Sequence, residues 1–329
     1  MSEEGIAKIE AGNRVDGRFL VARKELRDTR AGKPFLDLTL MDRTGRVTAR
    51  VWDNAPAISQ GFEAGDVVRA VGVAEKYRDE LQLRLDRVEA VPAEEVDATE
   101  FLPRSTKDID ALDKRLAEVV KSIGEEHLRE LLMRFFRDGE FRQRFRQAPG
   151  ATRLHHAYVG GLCEHTVEVV ELCEKVVEVF PKLDRDLLLT AAILHDVGKM
   201  EELSWDTAFD YTDVGRLVGH LALGERRVRE QADGIEGFPE ELKMLLSHMI
   251  LSHHGVAEFG SPKLPMTAEA IALHHAEDLD AKVNMFLGEI KVARDQGRQW
   301  TERHFLLGRP LYVGESEAGE EGAVEGDAD

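Results

Sequence analysis

LLLTAAILHDVGK, residues 187–199, is the stretch on which the reading of this chain turns. Its apolar residues, opened by Asp186 and closed by Gly198, predict a buried helix over Asp186–Val197 that stops at the glycine. That helix ends on an adjacent imidazole and carboxylate, His195 and Asp196, both able to grip metal ions. A His-Asp pair arises by chance in most chains of this length, so the pair alone says little. It gains weight from an ordered series around it: His165 before, then His220, His253-His254, and an acidic cluster at Glu277, Asp278 and Asp280. Each member is expected in its own helix.

Such a series suits two divalent ions held close together, which need neutral imidazoles and carboxylates, one of them bridging. The set of nitrogen and oxygen donors without a thiolate favours Mn²⁺, Fe²⁺ or Mg²⁺ over structural zinc. Asp196 is the expected bridge, with His165, His195 and the acidic cluster on one ion and His220, His253 and His254 on the other. Two ions so placed orient and deprotonate a water and neutralise charge on phosphorus oxygens. Lys199, about one helical turn beyond His195, can meet a phosphate oxygen as a point charge; its plainer role is to cap the helix dipole.

The rest of the chain supplies a second unit. Alternating apolar runs at Val15–Ala22, Phe35–Met41, Arg46–Trp52, Asp66–Ala74 and Glu80–Val91 are separated by turn signals, with a short helical stretch near Ala55–Gln60. Five strands of this kind predict a Greek-key barrel of the OB type over residues 13–92, behind an extension at 1–12. Phe35, Trp52 and Tyr77, with Lys33 among the basic residues around them, are candidate stacking platforms for bases, although a barrel core also consumes aromatics. Residues 93–108 read as a linker, and 109–312 as helical, with helices expected at Asp110–Lys121, Glu125–Gln147, from Leu162, Asp213–Gln231, Pro239–His254 and Thr267–Gln296. The acidic end, 313–329, cannot bury enough apolar surface to order itself. The fold class is therefore multi-domain α+β.

The net charge of −19 argues against a nucleic-acid partner only until its distribution is read. Seven acidic residues and no basic ones lie beyond Gly314, whereas residues 13–92 carry 15 Lys/Arg against 13 Asp/Glu. Local patches, not the global sum, attract phosphates within a Debye length. Residues 134–153 hold six arginines, interleaved with phenylalanines; a helix with its rings inward and arginines outward accounts for that pattern. No apolar run is long enough to span a bilayer, and the start lacks an apolar signal region. Cys163 and Cys173, ten apart, suit neither a redox pair nor a zinc knuckle and read as reduced core thiols. The expected location is the cytoplasm.

The pattern H…HD…H…H…D resembles the HD-domain phosphohydrolase superfamily over residues 150–300. The flanking text is closer still: HHAYVGGLCEHT (155–166), LLLTAAILHDVGK, ILSHHG (250–255) and LHHAEDLDAKVNMF (273–286) resemble the YhaM-type 3′–5′ exoribonucleases, which also carry an OB domain in front of the HD domain. The resemblance implies single-stranded RNA, with DNA as an alternative, degraded from its 3′ end with Mn²⁺ as activator. One departure stands out. The superfamily's last ligand is an Asp after Ala, and here that position is Glu277, while Asp280 lies on nearly the same helix face. Either carboxylate can serve.

His155 and His156, with Arg153 before them, precede the first ligand helix beside Gly160-Gly161, a pair that permits close approach of substrate or simply makes a turn; all three are candidate substrate contacts. His127 and His304 belong to no cluster. Two other readings stay in play: a nucleotide-directed HD enzyme such as a dNTP triphosphohydrolase or cyclic-nucleotide phosphodiesterase, and a non-catalytic single-strand-binding protein. The sequence sets no oligomeric state, and a homo-oligomer is compatible with it.

Overall fold

A computed structural model describes residues 5–29, 31–77, 80–152, 156–206, 208–304 and 307–314. Arg153, His155 and the acidic end from residue 315 lie outside the described residues.

Five strands, β1 (Arg14–Asp28), β2 (Pro34–Asp42), β3 (Gly45–Val51), β4 (Val67–Tyr77) and β5 (Glu80–Ala90), close into a barrel in the order β1-β2-β3-β5-β4. Alternation drives it. On β2, Leu36, Leu38 and Leu40 point inward and are almost fully buried, facing Val47, Ala49 and Val51 of β3 and Leu83 and Leu85 of β5. Only the β3–β5 pairing is parallel, Thr48 to Val51 against Gln82 to Leu85, and it closes the barrel. The short helix α1 (Ala55–Ile58) leads from β3 towards β4. Ile6, in the segment read as an extension, is buried in the barrel core.

The segment read as a linker is packed, not loose. Leu102 is fully buried in the apolar core of the helical domain, which also takes in Leu20, Met41 and Val67 from the barrel. Arg104 bridges to Val159, and the Ser105 amide donates to the Val159 carbonyl at 3.0 Å. Mostly polar residues around Pro103 carried no periodicity, so the sequence hid this strap.

The helices are α2 (Ile109–Ser122), α3 (Glu126–Arg137), α4 (Gly139–Gln147), α5 (Gly161–Val179), α6 (Arg185–Leu194), α7 (Lys199–Glu202), α8 (Asp213–Val218), α9 (His220–Asp233), α10 (Glu240–Ser252) and α11 (Ala268–Asp295). Three expectations need correction. The helix expected over Glu125–Gln147 is two, because the Asp138 side chain accepts from the Glu140 and Phe141 amides and starts α4 afresh. The helix expected over Asp213–Gln231 is also two, broken at Gly219, whose φ of 79° no helix tolerates. Finally, the region is not wholly helical: Leu203–Ser204 (β6) pairs with Asp210–Tyr211 (β7).

α5 is the centre of the bundle, lying against α2, α4, α6 and α11. Its stripe of Val167, Val170 and Cys173 is buried, as are both cysteines. No helix among the described residues is long and apolar enough to cross a membrane.

Candidate metal centre

α6 ends at Leu194, earlier than the glycine suggested, so His195 caps it and Asp196 sits in the turn that leads to α7. His220 is the first residue of α9, and His253 caps the end of α10. Among these imidazoles His165 alone comes from mid-helix, on α5. Ligand-type side chains at helix ends have freed backbone around them, which lets residues from separate helices turn towards a single point.

That point is Asp196, whose side chain is almost wholly buried. Its Oδ2 lies 3.4 Å from Nε2 of both His165 and His195. Its Oδ1 lies 3.5 Å from His220 Nε2 and 3.6 Å from His253 Nε2. Each carboxylate oxygen thus faces its own pair of imidazoles. His254, whose ring centroid is 5.0 Å from that of His220, joins Asp196, His220 and His253 in one group with metal-ligand spacing.

The far nitrogen of each ring is engaged. His195 Nδ1 is 2.7 Å from the Ala192 carbonyl and His253 Nδ1 is 2.8 Å from the Ile250 carbonyl. His165 Nδ1 is 2.6 Å from Asp280 Oδ2, and His220 Nδ1 is 3.0 Å from Glu202 Oε1. A carbonyl or carboxylate can only accept, so each Nδ1 carries a hydrogen and each Nε2 can present its lone pair towards Asp196. His165 Nε2 and His195 Nε2 are 3.1 Å apart, a distance at which two lone pairs repel unless a proton or a cation stands between them.

These groups fit a cation. Asp196 Oδ1, His220 Nε2 and His253 Nε2 are buried with no hydrogen-bond partner among the described residues, while Asp196 Oδ2 meets the Lys199 ammonium at 2.6 Å. Buried polar atoms normally find partners, and three facing one another without them call for a ligand. Metal–ligand bonds of about 2.1 Å put neighbouring ligand atoms roughly 3 to 3.5 Å apart, the spacing seen here. A second group with metal-ligand spacing, His165, His195 and Asp196, shares the same carboxylate.

The electrostatics agree. Burial opposes a charge on Asp196, but Lys199 and His195 beside it outweigh that and hold its carboxyl well below the usual range. Lys199 Nζ is 2.6 Å from Asp196 Oδ2; burial disfavours its charge, yet Asp196 keeps it cationic. Burial keeps His253 neutral, as a metal ligand must be. His165 differs: despite burial, Asp196 and Asp280 raise its pKa to about 9.

The two acidic candidates on α11 separate. Asp280 is occupied on His165 Nδ1, the ring edge turned away from Asp196. Glu277 stands among the charges of the centre, feeling His165, Asp196, His195 and Lys199, with burial first among the causes that raise its pKa. Asp278 pairs instead with Lys282 at 2.7 Å.

Other candidates fall elsewhere. His156 is 2% exposed, hydrogen-bonds Glu168 at 3.0 Å and groups with His165 and Asp280, so it stands within the buried network beside the centre. Gly160-Gly161 serve packing: a Cβ on Gly161 would lie 2.0 Å from the His156 carbonyl oxygen. On the barrel, Phe35 and Trp52 stack at 4.8 Å, both half-buried, and Tyr77 is exposed beneath the Arg50 guanidinium. Lys33 pairs with Asp53 at 3.0 Å. The arginines of α4 are engaged, Arg142 and Arg146 by Asp113 and Arg144 by the Met200 carbonyl, which favours the structural account of that helix. His275 is exposed, and His127 and His304 lie outside the clustered groups.

The sequence missed Glu202, and it singled out His274 only as one of a pair with His275, one ring facing the core and the other solvent, with ligation the lesser reading. Glu202 accepts from both the backbone amide and the ring of His220. His274 Nδ1 donates to the His253 carbonyl at 2.8 Å. Glu202, three residues past Lys199, could have been flagged as a carboxylate near a ligand series; nothing in the sequence pointed to a backbone contact by His274.

Comparison with known families matches residues 162–282 to the HD domain and residues 17–91 to the OB-fold nucleic acid binding domain. Solved structures similar to the barrel include the second OB-fold domain of replication protein A from Methanococcus maripaludis (18% identity, 27% of this chain and 94% of that one, TM-score 0.22). Others are the protein PriB from Ralstonia solanacearum (18% identity, 25% and 100%, TM-score 0.22) and the mitochondrial single-stranded DNA binding protein Rim1 from S. cerevisiae (13% identity, 25% and 97%, TM-score 0.21). The chain therefore joins an OB-fold nucleic-acid-binding domain to an HD metal-dependent phosphohydrolase domain, in the YhaM-like order.

Proposed function

We propose that this protein is a metal-dependent 3′–5′ exonuclease acting on single-stranded RNA, with single-stranded DNA as a second substrate. The observation that carries it is the convergence of four Nε2 atoms on the two oxygens of Asp196, within 3.4–3.6 Å, in a chain that also carries a nucleic-acid-binding barrel. In this reading His165, His195 and Glu277 hold one divalent ion, His220, His253 and His254 the other, and Asp196 belongs to both. Mn²⁺ is the favoured metal for this nitrogen and oxygen set, ahead of Fe²⁺ and Mg²⁺. When bound, such a pair supplies an activated water and offsets charge on the phosphorus oxygens.

The chain's own residues do the rest. Asp280, Glu202 and the Ala192 and Ile250 carbonyls fix the imidazoles by holding their Nδ1 hydrogens. Lys199, kept cationic by Asp196, is placed to receive a non-bridging phosphate oxygen. The Phe35–Trp52 stack and Tyr77 offer π faces that hold successive bases whatever their sequence. A strand held by the barrel and cut only at its terminus gives stepwise removal of nucleotides.

The test is degradation of 3′- and 5′-labelled RNA, and of circular RNA, by the full chain with Mn²⁺. Mononucleotides released progressively from the 3′ end, with circles intact, support the proposal. Cut circles replace it with an endonuclease. Turnover of dNTPs or cyclic nucleotides with intact RNA would transfer the site to nucleotide hydrolysis.

A further inference from the structure

We propose that Glu168, held by Lys107 from the strap between barrel and helical domain, is a positioning residue for the metal centre, acting on His165 through Asn284 and Asp280. The inference rests on the reading of the Asp196 cluster as a metal centre.

The contacts form an unbroken chain. Lys107 forms an ion pair with Glu168 and lies 3.2 Å from Glu164 Oε1. Both acids are on α5, flanking His165 along one helix. Glu164 is otherwise anchored by Ser105 Oγ at 2.6 Å, from the same strap, and by Tyr158 OH at 2.9 Å. Glu168 Oε2 accepts from Asn284 Nδ2 at 3.0 Å and is 3.0 Å from His156 Nε2. The same Asn284 nitrogen lies 3.0 Å from Asp280 Oδ1, and Asp280 Oδ2 is the partner of His165 Nδ1.

Asn284 Nδ2 has two hydrogens for three acceptors: Glu168 Oε2 at 3.0 Å on one side, and Asp280 Oδ1 at 3.0 Å with the Asp280 carbonyl at 3.1 Å on the other. Asp280 is therefore fixed between an amide that locates one oxygen and an imidazole that needs the other. Glu168 is the second anchor of that amide. Burial works against its charge, but hydrogen bonds within the network, with His156 foremost and Lys107 among them, hold its carboxyl below the usual range. Three acids, Glu164, Glu168 and Asp280, crowd this space, and Lys107 brings a full positive charge to them from outside the helical domain. Removing it leaves the buried Glu164 and half-buried Glu168 with hydrogen bonds but without their lysine, and the added repulsion among the three acids displaces Asp280 from His165. A carboxylate behind a metal-bound imidazole fixes its tautomer and raises its basicity, and losing such support costs about 10–100-fold in metal affinity.

The test is titration calorimetry of the metal-free full chain with Mn²⁺, comparing wild type, Lys107→Met, Glu168→Gln and Lys107→Arg, with melting temperature measured alongside. The proposal expects Lys107→Met and Glu168→Gln to weaken Mn²⁺ binding by about 10–100-fold, with Lys107→Arg restoring most of it. Lys107 is 45% exposed at its side chain, so its replacement leaves the fold standing. Affinities equal to wild type in both variants would assign the network a purely structural role and overturn the proposal. A wild-type chain that binds no Mn²⁺ would instead sink the metal-centre reading on which it stands.

Discussion

Lys199 Nζ lies 2.6 Å from Oδ2 of Asp196, the same oxygen that faces His165 and His195. An ammonium and a metal ion drawn to the same oxygen repel each other, so the two cations compete for it. In the proposed reading a bound ion would displace Nζ and leave it for phosphate. Lys199→Met should therefore bind Mn²⁺ at least as tightly as wild type while kcat on RNA falls by about 10²–10³, the usual loss for one donor to developing charge. Unchanged kcat with tighter metal binding would leave Lys199 as a neutralising counter-ion alone.

Gly255 has φ of +79°, and a Cβ placed on it would lie 2.2 Å from the His274 ring. That ring holds the carbonyl of His253, so the glycine and the ligand share one constraint. Gly255→Ala is expected to cost about 1–3 kcal/mol in unfolding free energy and to weaken metal binding, since both backbone strain and a moved His274 act on His253. Adding His274→Ala removes the collision but not the strain, and should recover part of the stability and none of the metal affinity. A wild-type melting curve for Gly255→Ala would refute this account of the turn.

The barrel prediction concerns affinity alone. Trp52→Ala removes half of the Phe35–Trp52 stack and should weaken binding of a long single strand by about 1–3 kcal/mol, the worth of one base stacked on an aromatic ring. Cleavage of a dinucleotide, too short to use the barrel, should be unaffected. Fluorescence anisotropy of a labelled oligonucleotide reads the first, and product release reads the second. Equal affinity in wild type and variant would place strand binding elsewhere.

How far the sequence could foretell this depends on the kind of signal. The barrel was legible because Leu36, Leu38 and Leu40 alternate with polar residues, a period only a half-buried strand produces. The ligand series was legible because His195-Asp196 stands in a family of separate histidines. Helix ends were not. Apolar spacing ran straight through Asp138 and Gly219, where a side-chain cap and a positive φ restart the helix. The strap was illegible for the opposite reason: Leu102 is buried, with Val96 and Phe101 packed beside it, and three apolar residues at irregular spacing make no pattern. The sequence left Glu277 and Asp280 open because both fall on one helix face; the structure shows Asp280 against His165 Nδ1, a contact that spacing alone could not reveal.

The cysteines offer a control on the fold. Burial pushes both the Cys163 and the Cys173 thiol up to about 12, so neither forms appreciable thiolate near neutral pH. In the native protein at pH 8 both should resist a thiol-specific chromogenic reagent, and two thiols should react promptly in denaturant. Rapid native reaction of either would place it outside the core described here.

The central claim is that Asp196 sits between two cations. Anomalous scattering from crystals grown with Mn²⁺ measures this directly. The account predicts two peaks about 3.5–4 Å apart, the usual separation in two-metal sites, each beside one oxygen of Asp196. His165 and His195 should lie on one peak, and His220 and His253 on the other. Density showing no metal against Asp196 at saturating Mn²⁺, with the four imidazoles still gathered around it, would contradict it.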